Sequence, residues 1–169
     1  MDSAPSLDGL GRAVLAGLTQ GERASVERHR LTEHEHNDVI WPELPASAPE
    51  VNFPLDYAWQ NIQSRHRRSL ARTRATLEGR NAAFRSVDCR GETQSFETFE
   101  VHTDCWVVFD LTDRGERFEV QLFKDVVARG GGYKYFRLYD EEPRRMVQAS
   151  ARGDERARGR LDDVGGGGG

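Results

Sequence analysis

Apolar residues recur at two different periods along this chain, and the change from one to the other divides it. Leu7, Leu10, Val14 and Leu18 follow one another at three and four residues, so they share one face of a helix over Ser6–Gln20. Ser6 is placed to cap its start and Gly21 to end it in the left-handed conformation. A second short helix is expected from Glu22 to about Leu31. Thr32 and Glu35 have capping-box spacing and open a third element carrying Val39, Ile40 and Trp41, which Pro42 ends. Pro42 to Pro54 holds four prolines and reads as a wrapping loop. The longest helix is expected over Leu55–Glu78. Leu55, Trp59, Ile62, His66, Ser69, Leu70, Thr73 and Leu77 form its stripe, and Gly79 follows its end.

From Ala83 the period falls to two. Ala83–Arg90 is a first strand. Phe96–Leu111 is long enough for one bent strand or two short ones. Glu97, Phe99, Val101, Cys105, Val107, Phe109 and Leu111 are all odd-numbered, so strict alternation puts them on one face; a bulge near Thr103–Asp104 would bend the strand and change that register. Asp113–Gly115 is a turn, and Glu116–Ala128 alternates Phe118, Val120 and Leu122 against Glu119 and Gln121. Gly130–Gly132 turns the chain again before Tyr133–Tyr139. Short turns between consecutive strands imply an antiparallel meander. The pattern therefore predicts one α+β domain over 6–140, with N-terminal helices packed on a curved antiparallel sheet. The stretch 141–169 is rich in Arg, Asp, Glu and Gly, ends in five glycines, and is expected to be disordered.

The element order resembles the cystatin-like, nuclear-transport-factor-like superfamily, which includes SnoaL-like proteins and ketosteroid isomerase. The stretch Ala13–Val26, with its Gly21–Glu22 step between two helices, is similar to that family's opening. The resemblance implies a cone-shaped cavity between the long helix and the sheet, in a superfamily that hosts enzymes, ligand binders and dimerisation modules alike. Leu31–Pro45, ending Trp-Pro-Glu-Leu-Pro, also resembles small bacterial proteins, some of them exported.

The formal net charge of −4 is unlike that of a dedicated nucleic-acid binder. Arg65–Arg90 nevertheless carries eight arginines against two acidic residues, while Met1–Ser64 has a net charge of −6. Arg65, Arg67, Arg68, Arg72, Arg74, Arg80, Arg85 and Arg90 are read as a solvated face paired with the acidic N-terminal half, with no nucleic-acid partner expected. His34 and His36 flank Glu35; on a helix start they point apart, so they are read as a solvated polar turn with no metal. Cys89 and Cys105 are read as two half-buried thiols, a cross-strand disulfide being the alternative.

No apolar run is long enough to span a membrane. The acidic Met1–Leu10 lacks a leader's basic and apolar regions, which reads as cytoplasmic, or as exported if the chain is a trimmed mature form. No nucleophile elbow, phosphate-binding loop or zinc-protease signature is present, and no cofactor is expected.

Trp59, His66, Trp106, Phe109 and Tyr135 are the candidate lining of a helix–sheet cavity. His66, on an otherwise apolar stripe, needs a polar partner, with Asp104, Tyr135 and His102 as candidates. The preferred function is a non-enzymatic binding module for a small apolar ligand, or a homodimerisation module using its sheet face. A small lyase or isomerase with His66 as acid or base is the alternative.

Overall fold

The computed structural model describes residues 3–147. Helix α1 (Leu7–Gln20) starts where the Ser6 hydroxyl accepts the Gly9 N–H at 2.9 Å. It ends at Gly21, whose φ of 71° suits a residue without a β-carbon. Helix α2 (Arg23–Arg28) is shorter than expected. Helix α3 (Glu33–Glu35) opens with the complete Thr32–Glu35 capping box and widens into a π-turn over His36–Ile40. The stretch expected to be a plain loop contains two short 3₁₀ turns, Trp41–Glu43 and Pro45–Ser47. Helix α4 (Leu55–Leu77) buries most of the expected stripe: Trp59, His66, Ser69, Leu70, Thr73 and Leu77.

The strands are β1 (Ala82–Cys89), β2 (Thr93–Ser95), β3 (Glu100–Leu111), β4 (Glu116–Arg129), β5 (Gly132–Tyr135) and β6 (Arg144–Arg145). They form one curled antiparallel sheet of order β1-β3-β4-β5, with β2 also on β3 and β6 also on β4. The segment expected over Phe96–Leu111 is one strand, β3, entered through a turn at Phe96–Phe99 from the short β2 that precedes it; Glu97 is exposed in that turn. Chain segments shield both edges of the sheet. The Asp8 carboxylate accepts the Val87 N–H of β1 at 2.8 Å. Ala4 and Arg30 bridge to Tyr133 and Tyr135 of β5.

A bulge does interrupt the pairing of β3 beside Thr103–Asp104. Asp104 has a φ of 53°, and β4 carries one extra residue opposite Cys105–Trp106. Below the break, Cys105, Val107, Phe109 and Leu111 join a first core with Leu10, Val14, Leu18 and Leu70. Above it, Val101 joins a second core with Leu31, Ile40, Phe99, Val127 and Phe136, while His102 stacks on Tyr133. The odd-numbered residues thus serve two cores.

Four expectations change. Cys89 and Cys105, directly paired in β1 and β3, form a disulfide. Glu119 and Gln121 are not solvated: Glu119 pairs with Arg90 and Arg144, whose guanidiniums lie 4.7 and 4.2 Å from the centroid of the intervening Trp106 ring. Gln121 donates to Asp104 at 2.9 Å. The stretch expected to be disordered begins with a paired strand, since Arg144 and Arg145 lie opposite Glu119 and Phe118; residues 148–169 lie outside the described ones. Among the described residues the arginines of the basic stretch pair with carboxylates within it and after it rather than with the N-terminal half: Arg74 with Glu78 and Arg90 with Asp88 within it, and Arg72 with Asp140, Arg85 with Asp110 and Arg90 with Glu119 after it. Among the described residues no helix is long and apolar enough to cross a membrane.

The disulfide closes a loop spanning 16 positions. Loops of that length constrain the unfolded chain by about 3 kcal/mol. Replacing both cysteines by serine should lower the free energy of unfolding in urea by about that amount. Alkylation of the native, unreduced chain should modify neither sulfur.

Candidate ligand cleft

His66 lies where the stripe places it, with a relative exposure of 0%. The Leu138 N–H donates to its Nδ1 at 3.3 Å, which fixes the proton on Nε2; Nε2 then donates to the Glu27 carboxylate at 3.1 Å. None of the three expected partners is used, although the Tyr135 ring packs 5.9 Å away and its hydroxyl donates to the Val26 carbonyl. Burial holds the His66 imidazole below its usual range, against the Glu27 hydrogen bond. That same bond holds Glu27 below the usual carboxylate range. His66 ties α4 to α2 and to the segment after β5, where Leu138 bridges to Phe123.

Sequence reasoning missed a second set of buried polar groups. Glu35 completes the capping box and also receives Lys134 of β5 at 2.8 and 2.9 Å. Burial works against its charge, but Lys134 and Thr32 outweigh burial and hold the carboxyl low. Arg30 donates to the Phe136 carbonyl at 3.0 Å and to Gln63 at 2.8 Å, and lies over Trp59. His34 and His36 do point apart. His34 is 81% exposed and pairs with Asp38. His36 corrects the expectation of a solvated turn: it is 1% exposed, packed against Trp41, Trp59 and Phe136. The Glu35–Lys134 pair and the wide π-turn hold it inward, where burial lowers its pKa.

These clips leave a cleft of about 380 Å³ where the π-turn, α4 and the second core meet. Trp41, Leu44, Phe53, Ile62, Val101 and Phe136 form its apolar lining. Asn61, Gln94, Thr103, Asp125 and Arg137 supply polar groups. Thr103 and Asp125 are cross-strand partners on β3 and β4. Burial raises the Asp125 carboxyl, while Lys124 and Arg137 act to lower it and Asp104 to raise it further. Phe53 is 41% exposed and packs between Trp41, tilted against it, and the exposed Tyr57, which it meets edge-on.

None of the five expected lining residues borders this cleft. Trp59 lies behind it against His36, and His66 and Tyr135 lie deeper between α4 and the sheet. Phe109 is in the first core, stacked on Phe118. Trp106 is held between two arginines. The sequence did carry a signal for Asp125: it is the polar residue between Phe123 and Val127 at alternating positions of a buried strand.

No protein-family model, no curated protein and no solved structure matches the chain.

Replacing His66 by leucine should destabilise the fold, because the buried Leu138 N–H then has no acceptor; such a loss costs about 1–3 kcal/mol. Both His66 and Glu27 titrate below their usual values, so the stability they add is complete at neutral pH. It falls as pH drops below about 6.5, and again below about 4.3. Urea unfolding between pH 7 and 4 should show a shallower loss in His66→Leu than in the parent chain, with a residue of slope from His36.

Proposed function

We propose that this chain is a non-enzymatic ligand-binding module whose site is the cleft between the π-turn, α4 and the second core. The observation that carries the reading is the lining itself. Binding sites for small molecules are pre-formed concavities, mostly apolar, with a few convergent polar groups. Here aromatic and aliphatic side chains make the walls, and Asn61, Gln94, Thr103, Asp125 and Arg137 are the polar groups. A lyase or isomerase working through His66 gains no support, since both ring nitrogens already bond within the protein and the ring does not border the cleft.

A homodimer through the sheet face gains none either. Among the described residues the exposed large apolar side chains are Val51, Phe53, Tyr57 and Val147, none of them in a strand. Phe53 lines the cleft and Tyr57 packs on it. The helices-first order over a curled sheet supports kinship with the cystatin-like, SnoaL-like superfamily. The Cys89–Cys105 bond supports an oxidising compartment, so we read the protein as exported rather than cytoplasmic.

A neutral aromatic alcohol, 2-phenylethanol, tests the site. At tenfold excess over its dissociation constant it should add about 1.4 kcal/mol, raising the melting temperature by roughly 3 °C. Ala58→Leu, which extends a side chain into the cleft, and Asn61→Trp, at its polar lining, should each keep the fold and lose the shift. A parent chain that does not respond, or a shift that survives both substitutions, would overturn the reading.

A further inference from the structure

The cleft's two charged residues are half-buried, of opposite sign and electrostatic neighbours of one another, and neither makes an ion pair with a described residue. Asp125 accepts no hydrogen bond on its side chain from any described residue; its electrostatic neighbours are Lys124, Arg137 and Asp104. Arg137 donates to the Leu138 carbonyl at 3.3 Å and lies 5.5 Å over the Tyr139 ring, with no carboxylate at ion-pair distance. Its neighbour Arg72, by contrast, already holds Asp140 at 2.8 Å. Burial disfavours the charge on both Asp125 and Arg137. The remaining ionisable residue of the lining, His36, is held neutral by burial. The apolar walls are aromatic and broad, with Trp41, Phe53 and Phe136 among them.

An occupant that satisfies this lining carries an ammonium, a carboxylate and an apolar body. We propose that the cleft binds a free α-amino acid with a large apolar side chain, its ammonium on the Asp125 carboxylate and its carboxylate on the Arg137 guanidinium. The proposal rests on the cleft being the binding site. A simple amine would leave the guanidinium desolvated without an anion, and a simple carboxylic acid would do the same to Asp125. Each mismatch forgoes one charge-assisted contact in a half-buried site and leaves the other group without a ligand counter-charge. The cleft's volume of about 380 Å³ lies within the range of small-molecule sites and has room for the side chain of phenylalanine.

Calorimetric titration of the full chain with four probes separates the possibilities: L-phenylalanine, phenethylamine, 3-phenylpropionate and 2-phenylethanol. L-phenylalanine is expected to bind at least tenfold tighter than each of the other three. Asp125→Asn should remove its advantage over 3-phenylpropionate, and Arg137→Gln its advantage over phenethylamine. Urea unfolding checks that both variants fold, and the probe series on the parent chain stands without them. Equal affinity for L-phenylalanine and 2-phenylethanol would overturn the zwitterion and leave the cleft as an apolar site. Phenethylamine or 3-phenylpropionate binding as tightly as the amino acid would overturn it in favour of one charge. Binding of none of the four would remove the cleft reading itself.

Discussion

Asp104 adopts a backbone conformation that L-residues enter at a cost of roughly 1–2 kcal/mol, and the sheet is organised around it. With φ at 53°, it marks the point where the odd-numbered side chains of β3 pass from the second core to the first. Contacts converge on the spot. The Arg90 N–H donates to its carbonyl at 3.0 Å, Gln121 donates to its carboxylate, and the Cys89–Cys105 bond locks the neighbouring pair. Gly91 passes so close to Thr103 that a β-carbon there would collide with it. One strand can then face α1 with Val107 and Phe109, and the π-turn with Val101.

The second core is not closed by apolar contacts alone. Helices α2, α3 and α4 are fastened to the far strands by buried polar groups: His66 between Glu27 and Leu138, Lys134 on Glu35, and Arg30 on the Phe136 carbonyl. Such groups are costly to desolvate and gain only when each finds a partner. What they contribute here is position. They fix the π-turn at a distance from Asp125 and Thr103, and the cleft is the space left between. Asp125, alone among these carboxylates, has no side-chain hydrogen bond from a described residue, and the proposed ligand site rests on it.

Much of this architecture was legible because it rests on local chemistry. Ser6 and Gly21 bound α1, the Thr32–Glu35 box opens α3, and the period of α4 buries His66 as its phase requires. The break at Asp104 was only partly legible: the polar Thr103–Asp104 step marks where a bulge could fall, while the odd-numbered alternation runs through it unbroken. What local pattern does not encode is which distant side chain meets which. Nothing near Glu35 names Lys134, 99 positions away, and nothing near His66 names Glu27, 39 positions before it. His36 reads as a polar turn because its burial depends on Trp59 and Phe136. His66 is the more conspicuous signal for a cleft, because a histidine stands out on an apolar stripe. Asp125, equally out of place in its strand, was the better one.

If the conformation of Asp104 is the constraint on which the sheet depends, replacements there must follow backbone preference rather than polarity. The direct measurement is the difference in unfolding free energy between Asp104→Gly and Asp104→Val. Both lose the Gln121 hydrogen bond, so that loss cancels. Glycine enters the left-handed region freely and should be the more stable by at least about 1–2 kcal/mol, with 2-phenylethanol binding retained. A valine variant as stable as the glycine variant, with the probe still bound, would contradict the central claim.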